Sequence, residues 1–219
     1  MKSPAVKGAP EPLYFFYCWL MRNLWRLRGG KLEIRGAENV PAQGPCIVIS
    51  NHQSYLDPIF LHAAVPRVLH AMAKSTQFAS PFMGWLLAHI YVFPVRRFEV
   101  DPQAVRTVLR RLDRGHAVMI YPEGERTWDG RFQVARRGTV RLLLKAGVPV
   151  IPCRIDGAYE VWPRWDRKIQ PGLVRVTFGR PLDLPASSIR ADRERALPAA
   201  IKAVEAALSG PHFHSSGKA

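Results

Sequence analysis

The chain has 219 residues, 47% hydrophobic and 22% charged, which fits one ordinary globular domain with a sizeable core. Thirty-two Lys and Arg against 17 Asp and Glu give a formal charge of +15, which implies an anionic partner: nucleic acid, an anionic membrane surface or a phosphorylated substrate. The three cysteines (Cys18, Cys46 and Cys153) are widely spaced in apolar runs; they exclude a disulfide framework and metal-ligand spacing, and read as buried thiols.

Residues 1–11 show little periodicity and read as loose. Residues 12–28 predict an amphipathic helix. Tyr14, Phe15, Phe16, Tyr17, Trp19, Leu20, Leu24, Trp25 and Leu27 supply apolar area, and Arg22, Arg26 and Arg28 supply charge. Rings and guanidinium groups together suit a membrane-interface helix; a core helix packed on the domain fits the same pattern. The apolar run Pro12–Met21 is ten residues long, short of the roughly 20 that a transmembrane helix needs. No small-residue cleavage site follows it, which argues against a signal peptide.

After Gly29-Gly30 the pattern becomes α/β. Strands are expected at 31–35, 46–50, 68–73, 90–95, 117–121, 148–155 and 173–178. Helices are expected at 58–65, 80–88, 102–114, 135–146 and 188–208. The alternation predicts a mostly parallel central sheet flanked by helices. Asp57-Pro58 and Asp101-Pro102 read as helix starts, and Gly115 and Gly147 as the glycines that follow helix ends. In PFMGWLLAHI, Trp85, Leu86 and Leu87 face either the core or lipid. The chain divides into an N-terminal interfacial helical segment (1–29), a main domain (30–209) and a flexible tail (210–219). His212 and His214 lie in that tail and read as disordered, not metal-binding.

Two polar blocks stand at the ends of apolar runs: NHQSYLD at 51–57 after IVIS, and YPEGERT at 121–127 after AVMI. Ligands of open α/β sheets gather at the C-terminal ends of strands. His52 and Asp57 are five residues apart, about 140° on a helix, so they meet only if His52 precedes the helix. A carboxylate on one ring nitrogen fixes the tautomer, and the other nitrogen takes a proton. The alternative is that Asn51, Ser54 and Asp57 are capping residues. The chain has no G-x-S-x-G elbow and no cysteine beside a histidine, and Ser54 reads as a loop hydrogen-bonder. A His–Asp dyad without its own nucleophile points to direct transfer, with the base activating a substrate hydroxyl. In the second block, backbone N–H groups can face an oxyanion and Arg126 can grip a phosphate. Glu123 either holds an arginine or accepts a substrate hydroxyl. A surface loop with a local Glu–Arg pair is the plain alternative.

The two blocks resemble the glycerolipid acyltransferases, the PlsC-type lysophosphatidic acid acyltransferase family. Asn51, His52, Ser54 and Asp57 meet its first motif, N-H-x-S-x-x-D. Pro122, Glu123, Gly124 and Arg126 meet its F-P-E-G-T-R-S motif, from which Tyr121, Glu125 and Thr127 depart. VFPVRR resembles the motif between them: Arg97 falls on its arginine, and Arg96 replaces an aspartate. VPVIP at 148–152 resembles the fourth, and ARRG the F-K-x-G stretch, with Arg136 for lysine and Gly138 retained. The resemblance covers about residues 30–183.

The resemblance implies that His52 deprotonates a lysophospholipid hydroxyl, the sn-2 hydroxyl of 1-acylglycerol 3-phosphate, while Asp57 orients it. The alkoxide attacks an acyl-CoA or acyl-carrier-protein thioester. Arg97 and Arg126 hold the phosphate with Glu123 as positioning partner, and Gly124 lets the backbone approach. No metal or bound cofactor is expected. The expected location is the cytoplasmic face of an anionic membrane, peripheral or monotopic, with the N-terminal helix docking the domain. Two rivals remain. One is an acyltransferase or transacylase for another lysolipid, such as a lyso-ornithine lipid or lysophosphatidylglycerol. The other is a nucleic-acid-binding protein, which rests on charge alone and has no motif behind it.

Overall fold

Each of the seven expected strand segments contributes a strand to one sheet. The computed structural model describes residues 11–96 and 101–209. In chain order the strands are β1 (Lys31–Arg35), β2 (Cys46–Ser50), β3 (Leu69–Lys74), β4 (Val92–Val95), β5 (Ala117–Ile120), β6 (Val150–Asp156) and β7 (Leu173–Phe178). The helices are α1 (Glu11–Leu27), α2 (Asp57–Ala64), α3 (Pro81–His89), α4 (Pro102–Asp113), α5 (Arg137–Ala146), α6 (Ala158–Val161) and α7 (Arg190–Ser209).

The sheet order is β1-β7-β6-β2-β5-β3-β4. Strands β2 to β6 are mutually parallel; β7 pairs antiparallel with β6 and parallel with β1, so two strands at one edge run the other way. Every residue of β2 and β5 is buried. Strands covered on both faces read as continuous apolar runs, which is why CIVIS and AVMI show no polar alternation.

The period-two geometry of β2 sends Val48 to one face and Ile47 and Ile49 to the other. Val48 joins a core with Trp25 of α1, Phe60 and Leu61 of α2, and Ala158 and Val161 of α6. Ile47 and Ile49 join a second core with Val108 and Leu112 of α4, Val140 and Leu144 of α5, and Leu197 and Val204 of α7. The result is three layers. Helices α1, α2 and α6 cover one face, and α4, α5 and α7 the other.

Local signals explain most boundaries. Asp101 caps α4 by accepting from the N–H groups of Gln103 and Ala104, and Gly147 ends α5 in the left-handed region. Helix α5 begins at Arg137, not 135, because Arg136 has an extended backbone (φ −65°, ψ 125°) and serves as its N-cap. Strand β4 begins two residues later than expected, after Tyr91 at φ 61°. The short helix α6 carries no sequence signal of its own.

Helix α1 packs on the domain along one face and exposes rings and arginines along another. Tyr14, Cys18 and Trp25 are buried, while Phe15, Phe16, Trp19, Leu24 and Leu27 are exposed beside Arg22, Arg26 and Arg28. In α3, Trp85 is half exposed and Leu87 packs on the first core. All three cysteines are buried free thiols. Among the described residues no helix is long and apolar enough to cross a membrane. Arg97, His212 and His214 lie outside the described residues.

Candidate active site

Strand order brings the two polar blocks together. Strands β2 and β5 are parallel neighbours with Ile49 level with Ile120, so the chain leaves both strands at the same height. The loop after β2 therefore runs beside the loop after β5. His52 is stitched to that neighbour on both sides of its peptide unit. Its N–H donates to Glu123 Oε1 at 2.7 Å, and its carbonyl accepts from Thr127 N–H at 2.8 Å. On the far side of β2, the Asn51 amide continues the pairing with β6. Its Nδ2 donates to the carbonyl of Ile155 at 2.8 Å, and its Oδ1 accepts from Ile155 N–H at 2.7 Å.

His52 precedes α2, as its spacing to Asp57 requires. His52 Nδ1 donates to Asp57 Oδ2 at 2.8 Å. The same oxygen accepts from the N–H groups of Gln53 at 2.6 Å and Ser54 at 2.8 Å. Asp57 does not cap α2 with its side chain. It is the first helical residue, follows Leu56, and turns its carboxylate back into the loop instead of forward over the helix. Three donors on one fully buried oxygen hold the carboxylate in one orientation. With Nδ1–H committed to Asp57, the ring lone pair lies on Nε2. Tyr121 stacks on the imidazole with ring centroids 3.9 Å apart and planes 14° from parallel.

Neither neighbouring nucleophile competes. Ser54 is buried and its Oγ accepts from Leu56 N–H, which makes it the loop hydrogen-bonder expected of it. Cys153 is buried, and burial raises its thiol well above the ordinary range. Among the described residues no cluster of His, Cys, Asp and Glu has the form of a metal site.

Glu123 is bound by backbone N–H groups. It is 3% exposed; Oε1 takes the His52 N–H and Oε2 the Gln133 N–H at 2.8 Å. Its carboxylate braces three loop segments against one another. Burial pushes the carboxyl up to about 7, and the nearby Asp57 and Asp129 charges add to that, against the two N–H bonds. Gly124 has φ +75°, and a Cβ there would lie 2.5 Å from Arg136 Nε. Arg136 crosses that bare backbone to donate from Nε to the carbonyl of Glu123 at 2.7 Å.

Arg126 lies with its guanidinium 3.3 Å from the centroid of the Tyr55 ring. Its Nη1 is buried and meets no hydrogen-bond partner among the described residues. A buried donor without an acceptor is costly unless a ligand supplies one. Glu125 sits between Arg136 at 3.6 Å and Arg164 at 3.4 Å, so its charge is offset. Tyr55 and Arg164 were not among the expected site residues. Neither has a sequence signal, since their contacts depend on loops meeting across the sheet edge.

The sequence profile of the family described as Acyltransferase matches residues 31–156. The chain is 32% identical over 171 residues to the chloroplastic 1-acyl-sn-glycerol-3-phosphate acyltransferase of Brassica napus, a match covering 75% of this chain and 49% of that one. The 1-acyl-sn-glycerol-3-phosphate acyltransferase of Bacillus subtilis is 28% identical over 200 residues, covering 88% and 97%. That of Pseudomonas aeruginosa is 29% identical over 183 residues, covering 80% and 70%. The chain thus spans about half the length of its plant relative and most of the two bacterial ones. The crystal structure of the 1-acyl-sn-glycerophosphate acyltransferase PlsC from Thermotoga maritima superposes with a TM-score of 0.70 at 22% identity, covering 86% of this chain and 77% of that one; it shares the fold.

Proposed function

The chain belongs to the acyltransferase family, and on that premise we propose that it transfers a fatty acyl group to the sn-2 hydroxyl of 1-acylglycerol 3-phosphate, giving phosphatidic acid. The donor is a thioester, acyl-CoA or acyl-carrier protein. The observation that carries this reading is the His52–Asp57 pair, with Nδ1 committed to a buried carboxylate and no competing nucleophile beside it.

His52 Nε2 takes the proton of the lysolipid hydroxyl as its oxygen attacks the thioester carbonyl. Asp57 holds the ring and stabilises the imidazolium. The tetrahedral intermediate collapses with loss of the thiolate. A thiol of pKa about 8.5 is a competent leaving group, and the imidazolium returns the proton to it. One C–O bond forms, one C–S bond breaks, and His52 ends neutral. The reaction as proposed uses no metal or bound cofactor. Arg126, through its unpartnered Nη1, receives the phosphate. Arg97, which matches the arginine of the family motif, is the second residue assigned to the phosphate. Gly124 and Glu123 act one step back, by shaping and bracing the loops.

The offset charge of Glu125 supports a phosphate-bearing acceptor over a lyso-ornithine lipid, because that residue no longer repels an anion. The exposed rings and arginines of α1 support peripheral or monotopic docking on the cytoplasmic face of an anionic membrane.

The test is thiol release from a long-chain acyl-CoA by the purified protein, with and without lysophosphatidic acid, for wild type and His52→Ala. Release that requires both the lysolipid and His52 is expected. Undiminished release by His52→Ala removes His52 as the base. If wild type releases no thiol from acyl-CoA, acyl-carrier protein is tried as donor and then other lysolipids as acceptors.

A further inference from the structure

The exposed aromatic rings are unevenly placed: Val134 and Ile189, which precede α5 and α7, are exposed aliphatic residues, but among the described residues no exposed ring stands on α4, α5 or α7. Exposed rings stand on α1 and α3, whose inward residues join the first core, and on two loops over α6. Those loops carry Trp128, 59% exposed, and Trp165, 63% exposed. Indoles this exposed are unusual on a surface that meets only water.

Both indoles are held in place. The Arg164 guanidinium lies 3.4 Å from the centroid of Trp128. Tyr159 Oη donates to the carbonyl of Trp128 at 2.8 Å and accepts from Trp165 Nε1 at 3.3 Å. Trp165 sits on a turn closed by Asp166 N–H on the carbonyl of Pro163 and by Trp162 Nε1 on the carbonyl of Asp166. Exposed Arg167 and Lys168 follow directly. The same loop then runs back to the start of β1, just after α1, where the carbonyl of Gly172 accepts from Lys31 N–H. It also borders the site, since Arg164 donates to the carbonyl of Arg126 at 2.9 Å.

We propose that Trp128 and Trp165, with Arg167 and Lys168, form a membrane-contact surface separate from α1 that seats the mouth of the site on an anionic lipid bilayer. Indole rings settle at headgroup depth, and basic side chains beside them meet lipid phosphates. The surface lies on the same side of the sheet as α1, since α6 and α1 pack on the same core. A lysolipid can then reach His52 without crossing water. The proposal rests on the lipid-acyltransferase reading above, but its test does not depend on that reading.

The full-length protein is sedimented with mixed phosphatidylcholine and phosphatidylglycerol vesicles, and transfer is measured separately on a short-chain lysolipid kept below its micelle threshold. Trp128→Ala/Trp165→Ala is expected to weaken vesicle binding about tenfold or more while changing transfer to the monomeric lysolipid less than about twofold. Arg167→Glu/Lys168→Glu keeps both indoles and is expected to weaken binding about thirtyfold, with the loss disappearing on pure phosphatidylcholine vesicles. Unchanged vesicle binding in both variants overturns the proposal. So does an equal loss on the monomeric lysolipid, which would make the indoles part of the substrate groove. If no acyl transfer occurs at all, the enzymatic reading fails, while the vesicle measurement still decides the surface.

Discussion

The backbone N–H of His52 is held at 2.7 Å by Glu123, a carboxylate 71 residues further along the chain. With the bond from Thr127 N–H to the His52 carbonyl, it fixes the height of the candidate base against the loop that carries Arg126. Glu123→Gln keeps the shape, but its amide offers one acceptor where two backbone N–H groups need one each. Loss of one charge-assisted bond corresponds to about 1.5–3 kcal/mol, so transfer is expected to fall at least about tenfold. Wild-type turnover in the variant would show that the brace is dispensable.

The same residue predicts a pH signature in stability. Burial pushes its carboxyl up to about 7, from an ordinary 4.5. Between those values the folded protein holds a proton that the unfolded chain has lost. Stability from this group is therefore full below pH 4.5, falls as pH rises through about 7, and is flat above. The whole window corresponds to roughly 3 kcal/mol as an upper bound. Glu123→Gln lacks this titration, so the stability of wild type minus that of the variant should shrink as pH rises. Urea unfolding of both proteins near pH 5 and near pH 8 measures it; a difference that is constant or grows with pH removes Glu123 as the titrating group.

Asp57→Asn tests orientation rather than presence of the base. Asp57 Oδ2 collects three N–H donors, one of them from His52. An asparagine oxygen in the place of Oδ2 still accepts from all three, but without the negative charge that holds the ring and stabilises the imidazolium formed during transfer. The turnover number is expected to fall by about 10²–10⁴, with KM for the lysolipid nearly unchanged. A rise in KM with unaltered turnover would place Asp57 in binding instead.

Two glycines make a matched pair. At Gly124 the backbone has φ +75°, and an added Cβ meets Arg136; at Gly138 nothing lies within 4 Å. Gly124→Ala is expected to lose about 2 kcal/mol from backbone strain and the displaced bond to the Glu123 carbonyl. Gly138→Ala should stay within about 0.5 kcal/mol of wild type. Equal effects on melting temperature would refute the Arg136 contact as the reason for Gly124.

These relationships show what the sequence could carry. Element order was legible because strands buried on both faces read as unbroken apolar runs, and Pro and Gly mark most helix ends. The His52–Asp57 pairing was legible because it is local: five residues span one turn and a helix start. The partners of Glu123 were not, because they are backbone N–H groups of residues 52 and 133, which carry no side-chain signature. The contact of Arg126 with Tyr55 depends on β2 lying beside β5, a non-local fact. Arg164 falls beyond every motif, and the reversal of β7 and β1 leaves no trace in their apolar pattern.

Helix α1 is both a core element and an exposed aromatic face, and one hydroxyl separates the two roles. Tyr14 is fully buried; its Oη donates to His62 Nδ1 at 2.6 Å and accepts from Leu69 N–H at 3.2 Å. Burial pushes the His62 imidazole down to about 3, so it is neutral and available as an acceptor. This hydroxyl ties α1 to α2 and to the first residue of β3. Tyr14→Phe preserves the ring and strands both partners in the core, which costs about 1–3 kcal/mol. For a chain of this length that is a fall in melting temperature of about 3–10 °C. Binding to anionic vesicles below the transition should not change, because Phe16 and Trp19 are untouched. Phe16→Ser/Trp19→Ser should do the reverse, weakening vesicle binding with little effect on melting. If Tyr14→Phe melts like wild type, α1 is not anchored through this bond. If both variants fail in both measurements, its two faces are not separable.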